Sequence, residues 1–423
     1  MNHGLIRNYH LEGGAERRLP DQLVIWDETL RDGEQTPGVY YTLEEKVELA
    51  RLLSDAGCHV LNCGIPAVSD NERKAVKAIA AQDLDASILG AARTIQSDID
   101  AVIATDAPEC ATFIAASDVH LEHKLKISRD RAIEIAVEAV EYAVDHGLKT
   151  TFVTEDTVRA DLDFVVRFYQ EVIDAGAARV LFADTVGVMT PSTLGWWLDE
   201  AVRRIDRPDV EYGVHLHNDF GMAAANTLTA FEHGIPCLNT TVNGIGERAG
   251  NASFEEVVMA LEELYRYDTG IDMEALFSLS RRVEEATGVP VAFNKAIVGY
   301  NAFTHESGIH TDGVIKNTLT YEPMQVEKLG RTRRFVFGKH TGTHAVQARL
   351  AEAGLEGTKE QLVAIAEEIK RYTEATTKEN AEAFIDDYRR WDRNNRGVSP
   401  EIFWRICELH GIAAPGGMVP QTV

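Results

Sequence analysis

The order of strand-like and helix-like segments constrains the fold more than any other feature of this sequence. From Leu23 to Tyr265, short β-rich runs alternate with longer segments in which apolar residues recur every three or four positions. The first pattern predicts buried strands and the second predicts amphipathic helices. The eight predicted strands are Leu23–Trp26, Val60–Cys63, Ser87–Ala91, Ala111–Ala115, Lys149–Val153, Val180–Ala183, Tyr212–His217 and Cys237–Val242.

The segment Thr42–Ala56 illustrates the helical pattern. Thr42 and Glu45 have the spacing of a capping box, an apolar stripe follows them, and Gly57 provides a stop signal. The other predicted helices are Asn71–Ala81, Ser128–His146, Leu162–Ala175, Pro191–Arg204, Ala223–His233 and Phe254–Tyr265.

Eight strand-and-helix units over roughly 240 residues match a (β/α)8 TIM barrel. The competing fold, a doubly wound open sheet, more often has about five to seven strands and a glycine-rich nucleotide-binding turn after the first. No such turn follows Trp26. The sequence therefore predicts an α/β protein with a TIM barrel.

The alternation stops near residue 290, where a mixed, glycine-containing stretch leads into a strongly helical, charged region. We expect a loosely held N-terminal arm over residues 1–22 and the barrel over 23–288. A small linker subdomain over 289–345 and a helical C-terminal subdomain over 346–423 should follow. The length of 423 residues and a hydrophobic content of 45% suffice for a large core.

Composition excludes several classes of protein. A formal net charge of −25 would repel a phosphate backbone, so nucleic acid is not an expected partner. No apolar run is long enough to span a bilayer, and the polar N-terminus does not resemble a secretory signal. The five cysteines form no C-x-x-C pair, which argues against a zinc ribbon or a disulfide framework. We expect a cytoplasmic protein with reduced thiols.

Reactive side chains gather where the predicted strands end, at the rim that carries the active site in TIM barrels. Loops are polar in any case, which could explain one such position but not the whole set. The rim residues are Arg31, Asp32, Asn62, Arg93, Asp118, Glu155, Asp184, Thr185, His215, His217 and Asn243.

A metal site is predicted among these residues. His215 and His217 alternate along one strand and therefore point to the same side. Because the first strand closes the barrel beside the eighth, Asp32 can supply a third ligand, and Asn243 a fourth. Such nitrogen and oxygen donors suit Mg²⁺, Mn²⁺, Co²⁺ or Zn²⁺ and leave room for a 2-oxo carboxylate. An isolated H-x-H pair would more often be two histidines without a ligand.

Two glycine-containing loops adjoin this predicted site. In DETLRDGEQTPG, residues 27–38, Arg31 places a permanent cation beside Asp32, where it could hold a carboxylate or stabilise an oxyanion. In NGIGERAGN, residues 243–251, glycines permit close approach to a ligand, although a barrel-closing turn would explain them equally well.

Five motifs together carry a resemblance to a known family. The chain resembles the acyl-CoA-condensing branch of the DRE-TIM metallolyases: homocitrate, isopropylmalate and citramalate synthases. The likeness is strongest to the short, nitrogen-fixation-type homocitrate synthases, which share HKL and a phrase similar to LFADTVGVM. The motifs are DETLRDGEQ, HLHND, NTTVNGIGERAGN, FTHESGIH and FGKHTG.

The resemblance implies roles for individual residues. Asp32, His215 and His217 would bind the divalent metal, with Asn243 near or ligating. Arg31 would contact the 2-oxo acid, with Gln35 close to the substrates; we add Asn62, Arg93 and Thr185 as further substrate-binding candidates. Glu155, His310 and Tyr321 match an acid/base set. His310 and Tyr321 fall in the linker subdomain, which in similar enzymes reaches over the partner's barrel, so a domain-swapped homodimer is implied.

The reaction implied is a Claisen-type condensation. An acyltransferase of this kind joins acetyl-CoA to a small anionic 2-oxo acid and hydrolyses the thioester, and His310 is the expected base. The resemblance favours a homocitrate synthase-like enzyme. A phosphono- or phosphino-pyruvate acceptor is the alternative, and an isopropylmalate or citramalate synthase is less favoured. A retro-aldol acyl-CoA lyase would need a cysteine in the glycine-rich loop, and residues 243–251 contain none.

Two departures from the family pattern concern the acceptor. Asn62 stands where a glutamate is usual, and we expect the loss of that carboxylate to favour a multiply charged acid. The fifth strand, Lys149–Thr154, lacks the arginine that holds the distal carboxylate of 2-oxoglutarate in lysine-pathway homocitrate synthases. The long C-terminal regulatory domain of isopropylmalate synthases also has no counterpart in this sequence.

Overall fold

Eight parallel strands close into a barrel in the computed structural model of the chain, which describes residues 6–13, 17–395, 398 and 400–410. Each strand pairs with the next, and β1 closes the ring against β8 in the register Val24 to Cys237 and Asp27 to Thr240. The TIM barrel predicted from the sequence is confirmed. The strands are β1 Val24–Asp27, β2 Val60–Asn62, β3 Ser87–Arg93, β4 Glu109–Ala115, β5 Lys149–Glu155, β6 Arg179–Asp184, β7 Glu211–Leu216 and β8 Cys237–Thr240.

Helices follow the strands around the barrel. The capping box at the start of α2 forms as predicted: the Thr42 hydroxyl accepts from the Glu45 amide, and the Glu45 carboxylate accepts from the Thr42 amide. The helices of this part are α1 Tyr9–Glu12, α2 Leu43–Asp55, α3 Asp70–Ala80, α4 Gln96–Ile103, α5 Asp118–His120, α6 Arg129–Asp145, α7 Leu162–Asp174, α8 Pro191–Ile205, α9 Ala223–Glu232, α10 Phe254–Ala260 and α11 Ala275–Thr287.

Helix α4 was not among the predicted helices. It has only 8 residues, and its N-cap, Ile95, makes no capping side-chain hydrogen bond. A short helix without a cap gives little periodic signal, because its stability comes from tertiary packing.

The barrel interior is filled in layers, which places the site at one end. A buried apolar cluster, Trp26, Val60, Leu89, Ala111, Leu181 and Cys237, crosses the middle. One layer toward the strand N-termini, Arg179 is buried against the Trp26 ring and pairs with Glu109, 3.0 Å away, and with Glu211. Since these side chains fill the N-terminal end, a cavity can open only at the C-terminal ends of the strands.

The described part of the N-terminal arm is anchored to the barrel, unlike the loose arm expected from its composition. Arg17 pairs with Glu232 at 2.8 Å, and the Arg18 amide donates to the Glu232 carbonyl at 2.8 Å. The Asn8 side chain donates to the Leu264 carbonyl. These long-range contacts cannot be read from the polarity of the segment.

The chain divides into two compact units, and the division differs from the predicted one. The barrel unit comprises residues 1–36, 40–302 and 327–331, and the second unit comprises 37–39, 303–326 and 332–423. Residues after 288 group with the barrel because Arg281 donates to the Val298 carbonyl, and Arg331 donates to the carbonyls of Ile297 and Gly299. A composition shift near residue 290 does not reveal such bonds.

The second unit is mostly helical. Val346, Leu362 and Ala366 are buried together at its core, with Leu350 and Ile369 packed against them. In the described part of the chain, no helix combines the length and apolarity that crossing a membrane requires. The elements of this unit are β9 Thr304–His305, α12 Gly308–Lys316, β10 Arg334–Phe335, α13 Thr343–Glu352, α14 Lys359–Asn395 and α15 Pro400–Leu409.

Candidate metal and substrate site

Asp32, His215 and His217 converge at the C-terminal end of the barrel. Asp32 lies in the turn after β1, His215 lies in β7, and His217 follows it. All three are buried, and one ligand atom of each lies within 4.8 Å of the others. The two Nε2 atoms are 3.2 Å apart, and His217 Nε2 is 4.0 Å from Asp32 Oδ2. The structure therefore brings together the three predicted metal ligands.

The electrostatics of this cluster suit a cation. Burial lowers the pKa of His215 to about 4, assisted by the Arg31 charge. Burial also lowers the pKa of His217 to about 3, assisted by His215. For Asp32, burial acts to raise the pKa, but Arg31 and the two imidazoles outweigh it and lower the value to about 2. Neutral imidazoles beside an ionised carboxylate are the protonation states that metal binding needs.

Asn251, and not Asn243, joins this cluster. Asn251 Nδ2 lies 2.5 Å from Asp32 Oδ2, and its Oδ1 is buried without a hydrogen-bond partner. The side-chain amide of Asn243 is hydrogen-bonded to Ser280 instead: its Nδ2 donates to the Ser280 carbonyl, and its Oδ1 accepts from the Ser280 hydroxyl. The prediction of Asn243 as a ligand is thus not supported, because the loop turns between the two asparagines.

Gly246 explains why this loop is rich in glycine. Its φ of +155° lies in the region that side chains rarely adopt, and an added Cβ would lie 2.9 Å from Asp32 Oδ2 and closer still to the Asn251 amide. A glycine at this position lets the loop backbone approach the cluster.

The Nδ1 atoms of the two histidines differ in their surroundings. The buried Nδ1 of His217 makes no hydrogen bond, whereas His215 Nδ1 lies 3.2 Å from Asn239 Oδ1.

Arg31 is held between two carboxylates. Its Nε donates to Glu28 at 2.6 Å and its Nη1 to Asp32 at 3.0 Å. Asn62 Nδ2 lies 3.1 Å from both oxygens of Glu28. Burial raises the pKa of Glu28, and Arg31 opposes that shift.

The contact between Asn62 and Glu28 shows that the mouth of the barrel is not depleted of carboxylates. We expected the absence of a glutamate at that position to remove a carboxylate from the mouth of the barrel. Glu28, directly after β1, places a buried carboxylate beside Asn62, so the mouth of the barrel still carries a negative charge at this place.

A cavity of about 260 Å³ opens beside the three candidate metal ligands, Asp32, His215 and His217, which are called the metal cluster below. It contains five of the predicted substrate or catalytic residues: Arg31, Gln35, Asn62, Glu155 and Thr185. Arg93 is not among the lining residues; its guanidinium pairs with Asp98 at 2.6 Å, and its side chain is 61% exposed. The remaining lining residues are Trp26, Glu28, Asp32, Ile65, Ala91, Ala111, Phe113, Lys124, Val153, Leu181, Ala183, His215, His217, Asn239, Glu247 and Arg248.

Two further cations line this cavity. Lys124 Nζ contacts both oxygens of Glu155, at 2.7 and 2.8 Å. Arg248 is held by Asp219, at 2.8 and 2.9 Å, and donates to the Thr185 carbonyl. Neither cation was predicted, although Lys124 belongs to the motif HKL and Arg248 belongs to the motif NGIGERAGN.

His310 and Tyr321 lie in the second unit, where their rings stack with centroids 4.1 Å apart and planes inclined by 25°. Both residues are exposed. Gly313 makes the arrangement possible, because an added Cβ would lie 2.7 Å from Tyr321 Cε2. The helix α12 and the turn after it thus form one exposed imidazole–phenol pair.

Comparison with known proteins identifies the family. A family model described as HMGL-like matches residues 22–283, and a second, described as homocitrate synthase post-HMGL domain-like, matches residues 297–377. The chain belongs to the HMGL-like family. The predicted membership in the DRE-TIM metallolyases is confirmed, as is the prediction of an acyltransferase.

The relatives of this family member include synthases with different names. It is 47% identical over 370 residues to the homocitrate synthase AksA of Methanothermobacter thermautotrophicus, covering 88% of this chain and 94% of the relative. It is 44% identical to the 2-isopropylmalate synthase of Methanocaldococcus jannaschii, covering 87% and 72%. Sequence identity to these relatives therefore does not indicate which 2-oxo acid is the acceptor.

The solved structures support the fold. The HMG-CoA lyase of Bacillus subtilis superposes with a TM-score of 0.59 at 23% identity, covering 64% of this chain and 96% of the lyase. At such identity the likeness establishes the barrel, and the chemistry must be argued from the site.

Proposed function

We propose that this chain condenses acetyl-CoA with a small 2-oxo acid and hydrolyses the thioester, giving a 2-hydroxy acid with an added carboxylate and free CoA. The observation that carries this proposal is the convergence of Asp32, His215 and His217 on a cavity that also contains Arg31. The names of the relatives, which are synthases of this kind, support it.

The residues of the cluster fit a divalent metal. Asp32, His215 and His217 would hold it, and the buried, unpartnered Oδ1 of Asn251 is a further donor. When bound, such a metal would polarise the ketone of the 2-oxo acid and help stabilise the negative charge that develops on its oxygen. Mg²⁺, Mn²⁺, Co²⁺ and Zn²⁺ all suit this mixture of nitrogen and oxygen donors.

Arg31 would orient the acceptor. Glu28 and Asp32 fix its guanidinium at the cavity wall, so its remaining N–H groups can hold the 2-oxo carboxylate and the ketone oxygen without reorganising. Gln35, Asn62 and Thr185 line the same cavity and would add polar contacts.

His310 and Tyr321 would supply acid/base chemistry, with Glu155 as the corresponding group on the barrel. We propose that His310 takes a proton from the thioester methyl, which makes that carbon the nucleophile that attacks the ketone. The resemblance to similar enzymes and the exposed, stacked arrangement of the two rings support this assignment.

We propose a homodimer in which His310 and Tyr321 of one subunit complete the site of the other. Mixing two inactive variants, His217→Ala and His310→Ala, tests this. In exchanged dimers, one of the two sites has both intact residues, so activity should return to roughly a quarter of the wild-type level. If each site used its own His310, mixing would restore nothing.

We propose an acceptor with a second anionic group, with 2-oxoglutarate as the principal candidate and phosphonopyruvate as the alternative. The homocitrate synthase-type match over residues 297–377 and the lysine in the cavity favour this choice. Monocarboxylic acceptors belong in the same test, because synthases named for isopropylmalate are similarly close relatives.

Retro-aldol cleavage is the competing reaction. The loop over residues 243–251 contains no cysteine that could serve as its acid. Of the four buried cysteines, none lines the cavity. Incubating the enzyme with hydroxymethylglutaryl-CoA and assaying acetyl-CoA would reveal a lyase.

Release of CoA from acetyl-CoA, followed with a thiol reagent, is the test of the proposed function. The panel should contain 2-oxoglutarate, phosphonopyruvate, 2-oxoisovalerate and pyruvate, with Mn²⁺ supplied. We expect acid-dependent release that chelation abolishes and fresh metal restores. The proposal would be contradicted if none of the four acids supported CoA release, or if the enzyme kept full activity after exhaustive chelation.

A further inference from the structure

The cavity has two opposite sides with different charged groups. The metal cluster is carried by β1 and β7, on either side of β8. In a closed ring of eight strands, β4 lies four places from β8, and β5 lies four places from β1. Lys124, in the segment Leu121–Leu125 after β4, and Glu155, at the end of β5, therefore face the metal cluster across the mouth.

Lys124 is able to bind a second partner at this position. An ammonium group has three donors, and the contacts with the two oxygens of Glu155 do not require them all. The Lys124 side chain is 53% exposed, so it is free to turn within the cavity. His120 Nδ1, buried and without a hydrogen bond, lies 3.6 Å from Glu155 and can contact that carboxylate if Lys124 turns away.

The other cations of the cavity are less suited to a distal group. Arg31 lies between Glu28 and Asp32, on the side of the metal cluster. Arg248 is held at two of its nitrogens by both oxygens of Asp219 and donates again to the Thr185 carbonyl. Of the described residues that line the cavity, Lys124 alone combines positive charge with a position opposite the cluster.

We propose that Lys124 binds the distal anionic group of the acceptor and thereby selects dicarboxylic over monocarboxylic 2-oxo acids. This inference rests on the proposed function and names the residue that determines its substrate class. The 2-oxo acid end lies at Arg31 and the metal cluster, and the side chain of the acid extends across the mouth to Lys124. The cation reaches the end of β5 from the neighbouring loop, so the strand itself needs no arginine.

The test compares two acids that differ only in the distal group, 2-oxoglutarate and 2-oxopentanoate. In Lys124→Met, kcat/KM for 2-oxoglutarate should fall about 10- to 100-fold, mainly through KM, because a charge-assisted contact is lost. For 2-oxopentanoate, kcat/KM should change less than about threefold. Lys124→Arg should retain most of the preference for 2-oxoglutarate.

Lys126→Met is the matched control, since it removes an exposed lysine two residues away that does not line the cavity. It should leave both kinetic constants at wild-type values. Equal loss with both acids in Lys124→Met would mean that Lys124 only positions Glu155 and would overturn the proposal. A wild-type preference for 2-oxopentanoate would overturn it too.

Titration calorimetry separates failure of this inference from failure of the proposed function. With Mn²⁺ present and acetyl-CoA absent, Lys124→Met should raise the Kd for 2-oxoglutarate about 10-fold or more and leave that for 2-oxopentanoate unchanged. That result supports the binding of the distal group by Lys124 even if no acid in the panel gives CoA release. An unchanged Kd for 2-oxoglutarate overturns the inference even if the wild-type enzyme is an active synthase.

Discussion

Asn62 Nδ2 lies 3.1 Å from each carboxylate oxygen of Glu28. Both residues are buried at the mouth of the barrel, and Glu28 is also the partner of Arg31. The neutral Asn62 amide thus donates to the Glu28 carboxylate, which carries the only negative charge of this pair.

We predict that Asn62→Asp destabilises the protein by about 1–3 kcal/mol, because two carboxylates would then meet in a buried place. Proximity raises their pKa, so the folded state of the variant keeps a proton that the unfolded state releases. The loss of stability should therefore be small near pH 5 and grow as pH rises. Urea unfolding at several pH values measures this. Glu28→Gln combined with Asn62→Asp should recover stability; a double variant no better than Asn62→Asp would refute the pairing.

Asn251 and Asn243 should behave differently toward metal. Asn251→Ala removes the amide beside Asp32, and we expect Mn²⁺ affinity to fall about 10- to 100-fold, as for groups that orient or supply metal ligands. Asn243→Ala breaks the contacts with Ser280, so it should lower the melting temperature with little change in metal affinity. Calorimetric titration with Mn²⁺ distinguishes them. An equal loss of Mn²⁺ affinity in both variants would mean that any disturbance of the loop weakens metal binding, and it would contradict a specific role for Asn251.

Lys46 should contribute strongly to stability. Its side chain is 1% exposed, and its Nζ lies 2.7 Å from both Glu34 and Glu72. Lys46→Met would leave two carboxylates without a cation, and we expect a loss of about 3–5 kcal/mol at pH 8. Lys77→Met, at a surface pair with Asp106, should cost less than about 1 kcal/mol.

The pH dependence of Lys46→Met follows from Glu72. Burial raises the pKa of Glu72, and Lys46 opposes that shift. Without the lysine, the folded-state pKa should rise further above the unfolded value. Stability of the variant is then lost as pH rises through that window, so the difference from wild type should be smaller at pH 5 than at pH 8. A difference that grows toward acid would contradict this account.

Gly313 should matter for activity through Tyr321. The Cβ of an alanine at this position would lie 2.7 Å from Tyr321 Cε2. This is too close for a carbon–carbon contact, so the phenol ring would be displaced from His310. We expect Gly313→Ala to lower kcat at least about 10-fold while helix content is unchanged. Ile315→Ala, on the exposed face of the same helix, is the control and should stay near wild type. Wild-type kcat in Gly313→Ala would show that the stacked pair has no role in turnover.

The sequence by itself determined the barrel and the convergence of the three candidate metal ligands, Asp32, His215 and His217. Strand alternation places His215 and His217 on one side of β7, and barrel closure brings the turn after β1 to them, so periodicity and topology suffice. The capping box of α2 is equally local, because its partners are three residues apart.

Only the tertiary structure decided which neighbours complete the site. Asn243 and Asn251 stand in one loop, and backbone turning at Gly246 selects Asn251. The Asn62 amide donates to the Glu28 carboxylate from the neighbouring strand, while Arg93 forms a surface pair outside the cavity. Side-chain direction in loops and charge pairing between distant segments depend on packing that no local pattern encodes. The sequence could therefore specify where a site lies, and the fold had to specify which side chains enter it.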